Sequence, residues 1–458
     1  MTQYPRSVLI ANRGEIARRI IKTTRRLGVE SVAIYHPVDA DLPFVREADR
    51  AICIDDAKPL GTYLDGVRII ETAVAAGVAA IHPGYGFLAE NAPFARAVTE
   101  AGLLWIGPSP EVIEVMGDKV TARHAVASVG VPVSGGTADG LSSVEEALVQ
   151  AEAIGFPVML KAAAGGGGIG MVVAHDTEQL GKMFAGTQSM AERSFGSGKV
   201  FLEKYISSAR HVEVQVLGLA DGKVLTLGER DCSVQRRHQK VAEECPAPRL
   251  ARAVRDKLSA AAILAAGAVG YENAGTVEFL LDTETGEFVF LEMNTRIQVE
   301  HPVTELTYEV DLIEQQLSIA ATGTTTTELN TEPQGHSIEF RVCAEDPVRF
   351  FPAPGTIEQW QPPTGPGIRV DSGYEAGDVV TSNFDPLLAK LVVTARNRAE
   401  VVELAQSALD AFDVTGIVTN LPFLRLLVRT NEFVAGQYDT SIVATISSRE
   451  LAKAKSGA

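Results

Sequence analysis

Residues Gly275 to Glu305 read GTVEFLLDTETGEFVFLEMNTRIQVEHPVTE. Two runs rich in Val, Phe and Leu flank Asp282-Thr283-Glu284-Thr285-Gly286, whose turn formers and glycine predict a β-hairpin. A turn centred near Thr285 sets Glu278 on the first strand opposite Glu292 on the second, and strand alternation puts Asn294 on the same face as Glu292. Two carboxylates and an amide oxygen then converge. Like charges facing one another destabilise a sheet, so the pair is a poor structural choice unless a cation joins it. Hard oxygen donors without thiolate or imidazole suit Mg²⁺ or Mn²⁺ and argue against zinc. Mg²⁺ takes few protein ligands and completes its shell with water and substrate phosphates, so the hairpin predicts a nucleotide. Arg296, Gln298, Glu300 and His301 crowd behind it.

Upstream, SVLIA, NRGE, IARRIIKTTRRLG and VESVAIY over Arg6 to Tyr35 read as strand, loop, amphipathic helix and strand, the βαβ opening of a parallel sheet. Further units follow through Ile81 and Trp105, and a first α/β domain ends near Pro110 to Val115. One helix holds Met116-Gly117-Asp118-Lys119, and Gly130 to Gly140 reads as a hinge. Phe156 to Lys161 is a strand, and Ala162 to Gly170 a loop with five glycines. That loop contains a formal G-x-G-x-x-G, but Met171 to Ala174 reads as another strand where the dinucleotide fingerprint needs a helix. A nicotinamide dehydrogenase therefore fails on context. Strand, glycine loop and strand describe a lid whose backbone N–H groups approach phosphates closely, with Lys161 supplying charge. Arg210 to Val216 alternates polar and apolar residues, predicting a half-buried strand with His211, Glu213 and Gln215 on one face. Glu229 to Pro248, dense in charge, reads as a substrate-facing loop, and Arg236 to Lys240 within it as a local anion site. A third region rich in short strands starts near Ile338. Glu400 to Phe412 is a helix, and Ser447 to Ala458 a polar tail.

With 458 residues, 46% hydrophobic and 22% charged, the chain has room for two or three globular domains. A net charge of −17 argues against nucleic acid as the main partner. Four cysteines without CxxC spacing indicate neither a disulfide framework nor a zinc site, which suits a reducing compartment. No charged-then-apolar leader and no apolar run of about 18 residues is present. The expectation is a cytoplasmic protein with no membrane contact.

The glycine lid, the acidic hairpin and the motifs ANRGEIARRI, HPGYGFLAEN, MGDK, ERDCSVQRRHQKVAEECPAP and EMNTRIQVEHPVTE, in this order, resemble the biotin carboxylase family of ATP-grasp enzymes over roughly Arg6 to Thr440. The resemblance implies a mixed α/β and α+β fold. A Rossmann-like parallel-sheet domain spans 1–115, an ATP-grasp domain 116–330 with a lid at about 134–206, and a β-rich C-terminal domain 331–446. It also implies a two-step reaction, in which bicarbonate attacks the γ-phosphate of MgATP to give carboxyphosphate and the carboxyl group passes to biotin. Lys119, Lys161, Gly167 and Gly168 then hold phosphates. Glu203, Lys204, Tyr205 and Ile206 match the adenine segment, and His211, Gln235 and His238 other nucleotide contacts. Glu278, Glu292 and Asn294 match metal ligands, while Lys240, Arg296, Gln298 and Val299 fall where bicarbonate is held. Glu300 matches the general base and Arg341 the residue that stabilises the biotin enolate.

Ile169 stands where the family commonly has a basic residue, so the lid is expected to rely on backbone N–H groups. GGGGIGM is similar to urea-type carboxylases, whereas QRRHQK and MGDK look like the acyl-CoA and pyruvate branches. No Met-Lys-Met carrier signature occurs and the length leaves no carboxyltransferase. The expected protein is thus a biotin carboxylase subunit of an acyl-CoA-type carboxylase, commonly homodimeric in this family. It would serve biotin on a separate carrier protein and a separate carboxyltransferase. Alternatives are a urea- or pyruvate-type component, another ATP-grasp ligase acting on bicarbonate, and a regulatory subunit that lost its chemistry.

Overall fold

The first strand, β1 (Ser7–Ile10), runs into a loop and the helix Gly14–Leu27, and returns parallel to itself as β2 (Glu30–Tyr35), with Ser7 opposite Glu30. The helix stops at Gly28, whose φ of 68° suits a residue without Cβ and whose N–H turns back to Arg25 and Thr24 carbonyls. Three more strands, β3 (Arg50–Cys53), β4 (Ala80–His82) and β5 (Leu104–Trp105), complete a five-stranded parallel sheet in the order β3-β2-β1-β4-β5. The computed structural model describes residues 3–137, 140–162, 171–195 and 198–446. Gly167, Gly168 and Ile169 of the glycine loop, and the tail from Ser447, lie outside these residues.

The single helix expected through Met116 to Lys119 is two. Pro110–Gly117 ends, Asp118 adopts an extended conformation, and its carboxylate accepts the Thr121 N–H at 2.7 Å to cap Lys119–Ser128. A short acidic side chain that captures a free N–H favours a helix start over a helix interior.

Beyond the hinge, β6 (Val158–Ala162), β7 (Met171–Ala174) and β8 (Val200–Lys204) form an antiparallel sheet with β6 in the centre. Lys161 pairs with Met171 beside the glycine loop, so the strands that flank it do form a hairpin. Leu160, Ala174, Leu180, Phe184 and Leu202 give this unit a small core of its own.

The chain then builds β9 (Ala209–Gly218), β10 (Val224–Arg236), β11 (Gln239–Cys245), β12 (Asn273–Asp282), β13 (Phe288–Asn294) and β14 (His336–Cys343). It continues through β15 (Gly355–Thr356), β16 (Gln359–Gln361), β17 (Ile368–Ser372), β18 (Val379–Val380), β19 (Leu387–Ala395) and β20 (Asp413–Thr415). Eight of these make one antiparallel sheet, ordered β13-β12-β9-β10-β11-β14-β19-β17. The C-terminal strands β14, β19 and β17 thus extend the central sheet.

Two expectations are corrected here. Glu229 to Pro248 is no loop: it is the pair β10–β11, turned at Arg237 and His238 with φ of 50° and 67°. Likewise β9 is buried along its whole length. Its apolar face packs Val212, Val214 and Val216 on the helix Arg252–Ala268 through Leu258, Ala262 and Ala265. Its polar face is covered by Arg230, Lys240 and Thr304, because charges that neutralise one another can fill an interior as apolar groups do.

Candidate active site

The β12–β13 ladder pairs Glu278 with Glu292, and β9 pairs Glu213 with Glu278 on the other side. Three adjacent strands therefore carry three carboxylates in one row. A cation from β11 holds two of them together with Glu300: Lys240 Nζ donates to Glu213 Oε2 at 2.6 Å, Glu278 Oε1 at 3.0 Å and Glu300 Oε1 at 2.6 Å. Arg230, fully buried, braces the row from below, donating to Glu213 Oε1 at 2.6 Å, Gln215 at 2.7 Å, Thr304 at 2.9 Å and Thr276 at 3.0 Å.

Glu278 is the hub. Asn294 Nδ2 donates to its Oε1 at 2.8 Å and Gln298 Nε2 at 3.2 Å, while His211 Nε2 lies 2.8 Å from Oε2 as a charge contact. Burial alone would raise its pKa, but Lys240 and His211 outweigh burial and keep it well below the ordinary range. His211 shifts the opposite way: burial disfavours its charge, and Glu278 overrides burial to raise its pKa. Glu292 has no such cover. Burial and then the neighbouring Glu278 push its pKa up, with Lys119 only partly offsetting them.

A divalent cation fits this imbalance. Glu278 and Glu292 offer oxygen across one rung, Glu292 is only partly neutralised, and Asn294 stands beside them with its amide nitrogen on Glu278 and its oxygen on Arg296. A cavity of about 280 Å³ opens beside them, lined by Glu90, Met116, Lys119, Phe290, Glu292 and Asn294. The break between the two helices at Asp118 is what brings Lys119 to its wall.

Glu300 lies beyond the row, fully buried at the start of the helix His301–Tyr308. Its second oxygen accepts Arg341 NH2 at 3.0 Å, and Arg341 Nε donates to Glu243 Oε1 at 2.7 Å. Burial would raise Glu300; Lys240, Arg341 and Arg230 overcome it and hold the group ionised, well below its usual value. Arg296 lies alongside, donating to Glu90 at 3.0 Å, Asn294 at 3.1 Å and Gln298 at 3.1 Å. The carbonyl of Val299 accepts from Lys390 Nζ at 2.9 Å. Between Glu300 and Arg296 the chain offers anion-binding N–H donors next to an ionised carboxylate, the chemistry needed to hold a small oxyacid and take its proton.

A second group sits at the lid. Lys161 pairs with Glu203, which also accepts Arg123 NH1 at 3.0 Å. His238, in the β10–β11 turn, is pushed down by burial and then by Lys161 and His211. Gln235 Nε2 lies 3.5 Å from His211 Nδ1. Tyr205 and Ile206 follow β8, the Tyr205 N–H on Pro157 O at 3.1 Å. Lys204 stands apart from both groups, its Nζ bonded to Gly155 O at 2.9 Å and Phe156 O at 3.0 Å. The basic run is split as well: Lys240 turns to the carboxylates while Arg236 stacks on Phe350, 4.6 Å from the ring centre.

Sequence reasoning passed over Arg230, Glu243, Glu339 and Lys390. Glu339 and Lys390 each interrupt a strand otherwise rich in apolar residues, where a charge signals a buried partner, whereas Arg230 and Glu243 sit inside the charge-dense stretch Glu229 to Pro248, where no single residue stands out.

Three family models cover the chain. "Biotin carboxylase, N-terminal domain" matches residues 4–113, "Carbamoyl-phosphate synthase L chain, ATP binding domain" 118–328, and "Biotin carboxylase C-terminal domain" 339–445. The biotin carboxylase of Halalkalibacterium halodurans is 49% identical over 439 residues, 96% of this chain and 97% of that one. The biotin-dependent acyl-coenzyme A carboxylase alpha3 subunit of Mycobacterium leprae is 46% identical over 92% of this chain and 70% of its own length. Among solved structures, the biotin carboxylase domain dimer of Hydrogenobacter thermophilus 2-oxoglutarate carboxylase, in complex with MgADP, ADP and bicarbonate, superposes with a TM-score of 0.92. The two are 43% identical, over 96% of this chain and 97% of that one.

Proposed function

The chain belongs to the biotin carboxylase family, and from that premise we propose that it uses MgATP and bicarbonate to carboxylate biotin presented by a carrier protein. The observation that carries this reading is the trio Glu213, Glu278 and Glu300 gripped by one lysine, with Arg341 on the far oxygen of Glu300. Glu278, Glu292 and Asn294 would hold Mg²⁺ or Mn²⁺, which neutralises phosphate charge when bound. Lys119 from the cavity wall and Lys161 from the lid bind the phosphates, with Gly167 and Gly168 expected to approach them. Glu203, Tyr205 and Ile206 border the base, with His211, Gln235 and His238 beside the nucleotide. Lys204, whose ammonium is spent on two carbonyls, contributes there only through its backbone.

Bicarbonate sits between Arg296, Lys240, Gln298 and the Val299 N–H. Glu300 takes its proton, and the freed oxygen attacks the γ-phosphorus as the bond to ADP breaks, giving carboxyphosphate. In the second step carboxyphosphate releases phosphate, which takes the ring N–H proton of biotin, and the freed ring nitrogen bonds to the carboxyl carbon. Arg341 stabilises the enolate form of the biotin ring with a charge that cannot be lost at working pH. Positioning and charge neutralisation, more than covalent chemistry, are what phosphoryl transfer requires.

We propose an acyl-CoA-type carboxylase on the likeness to the Mycobacterium leprae subunit, a reading that QRRHQK and MGDK fit as they also fit the pyruvate branch. It would work as a cytoplasmic homodimer with a biotin carrier and a carboxyltransferase. No helix among the described residues is long and apolar enough to cross a membrane. The test is ATP cleavage measured with and without bicarbonate, and with added free biotin. Cleavage that needs bicarbonate and rises with biotin is the expected result; cleavage indifferent to both overturns the reading.

A further inference from the structure

Glu339 lies in β14 between Ile338 and Phe340, fully buried, and its cross-strand partner on β11 is Glu243, buried as well. Neither oxygen of Glu339, nor Oε2 of Glu243, meets a hydrogen-bond donor among the described residues. The one bonded oxygen of the four, Glu243 Oε1, accepts Arg341 Nε at 2.7 Å, and the same guanidinium reaches Glu300 at 3.0 Å. Two ionised carboxylates are not stable as cross-strand neighbours in a dry interior unless a cation bridges them, as Lys240 bridges Glu213 and Glu278; here the guanidinium bonds Glu243 and not Glu339, and a single proton on the pair removes the repulsion. The guanidinium decides where that proton rests, since it favours the charged form of the group it bonds. We propose that Glu339 is a positioning residue for biotin carboxylation: as a neutral acid it holds the one proton of the Glu243–Glu339 pair, leaving Glu243 ionised to fix Arg341 against Glu300. The inference rests on the roles given above to Glu300 and Arg341.

The charges around Glu339 agree with this placement. Lys390 on β19, Arg341 on β14 itself, Glu243 on β11 and Glu300 at the start of the helix His301–Tyr308 act on it. His301 on that helix is kept neutral by burial and by Lys390. The ammonium of Lys390 is directed to Glu15 and the Val299 carbonyl. Burial pushes both carboxyls up, that of Glu339 well above the ordinary range and that of Glu243 less far, with the Arg341 guanidinium bonded to it pulling it back. When rising pH strips the proton from Glu339, Arg341 faces two carboxylates on one side and is drawn from Glu300. Turnover should then fall along an alkaline limb set by this pair.

Two measurements on the full chain test the proposal. In the infrared difference between wild type and E339Q at neutral pH, the wild type should show a protonated-carboxyl C=O band that the variant loses. A difference confined to ionised carboxylate bands overturns the assignment. In pH profiles of biotin-dependent turnover, E339Q, permanently neutral and of the same shape, should move the alkaline limb upward by about one pH unit or more; superposed profiles overturn the role. Should E339Q not fold, the wild-type band followed against pH serves instead. E243Q removes the like charge and should shift its disappearance to lower pH, and an unmoved band sinks the idea. Wild type that cleaves ATP without need of bicarbonate overturns the functional reading, whereas the infrared band judges the shared proton on its own.

Discussion

As the proposed base, Glu300 has to be ionised to accept a proton and basic enough to keep it, and its surroundings favour only the first. Lys240 and Arg341 hold it well below its usual pKa, which makes a stable anion and a weak base. A bicarbonate that takes a share of the Lys240 ammonium would return basicity to Glu300 at the moment it is needed. Glu300→Gln should accordingly lower bicarbonate-dependent ATP cleavage by about 10²-fold or more, the scale of a lost general base, while nucleotide affinity holds. Turnover and nucleotide titration on one preparation decide it; unchanged turnover removes Glu300 from the role. Glu244, one residue past Glu243 and on the opposite face, is structural. It accepts His336 Nε2 at 2.6 Å, Arg398 Nε at 2.8 Å and the Tyr438 hydroxyl. Burial opposes its charge, but His336 and Arg398 prevail and hold it at about 2. A carboxylate depressed on folding contributes stability that is complete above its unfolded pKa near 4.3 and is lost as pH falls towards the folded value. That loss amounts to about 3 kcal/mol between roughly pH 5 and 2. Urea unfolding across that window should show Glu244→Gln less stable than wild type at pH 6, with the gap closing as pH falls; a gap independent of pH contradicts the assignment.

At the scale of elements, what was legible followed from local pattern. The β12–β13 hairpin was readable because turn residues and period-two alternation mark it locally, while the Glu278–Glu292 rung stands beyond a bulge that shifts the register between Glu278 and Phe279, a feature no local rule announces. The β10–β11 pair was misread because its charges are matched by partners distant in sequence, Glu213 and Glu300 for Lys240 and Thr304 for Arg230, and no local rule reveals that compensation. The helix break at Asp118 was missed for a smaller reason: MGDK looks helical until the aspartate is seen as a cap. Asp118→Ala should therefore cost about 1 kcal/mol of stability, the usual worth of an N-cap. It should also weaken nucleotide binding through Lys119, both read from thermal unfolding with and without ATP; ATP-induced stabilisation equal to wild type would separate the cap from the site. Gly218 is stricter. A Cβ there would overlap the backbone carbonyl of Tyr271 where β9 meets the start of β12, and backbone cannot step aside as a side-chain tip can. Gly218→Ala should destabilise by about 3 kcal/mol or more, and a fall in urea midpoint too small for that would show that the strand end can shift.

Across the whole molecule, the site is held at a junction of the N-terminal sheet unit, the central row of carboxylates and the C-terminal strands. Arg13 to Asp39 and Arg18 to Glu47 order the first unit, while Arg18 also reaches Glu375 at 2.7 Å across to the C-terminal region. The tie nearest the chemistry is Lys390. From β19 it meets Glu15 of the first helix at 2.9 Å and the carbonyl of Val299 at 2.9 Å, all without exposure of the ammonium side chain. Nothing in the local sequence around Lys390 names these partners, one 375 positions away and the other 91, so a lysine amid Leu388, Ala389, Leu391 and Val392 passes as one residue of a region rich in short strands. Its removal separates two contributions. Lys390→Met strands the Glu15 carboxylate in the interior and should cost about 3–5 kcal/mol, as breaking a buried pair does from one side. Lys390→Met with Glu15→Gln removes both charges and should recover most of that loss, because Tyr85 can still bond the residue at position 15. The Val299 carbonyl, however, has no substitute donor in the double variant, so the 298–300 segment loses its anchor and the bicarbonate KM should stay several-fold above wild type. Denaturant unfolding and bicarbonate saturation on the same three proteins distinguish the effects. A double variant whose stability and bicarbonate KM both return to normal would mean that Lys390 only balances Glu15 and that Val299 is positioned by something else.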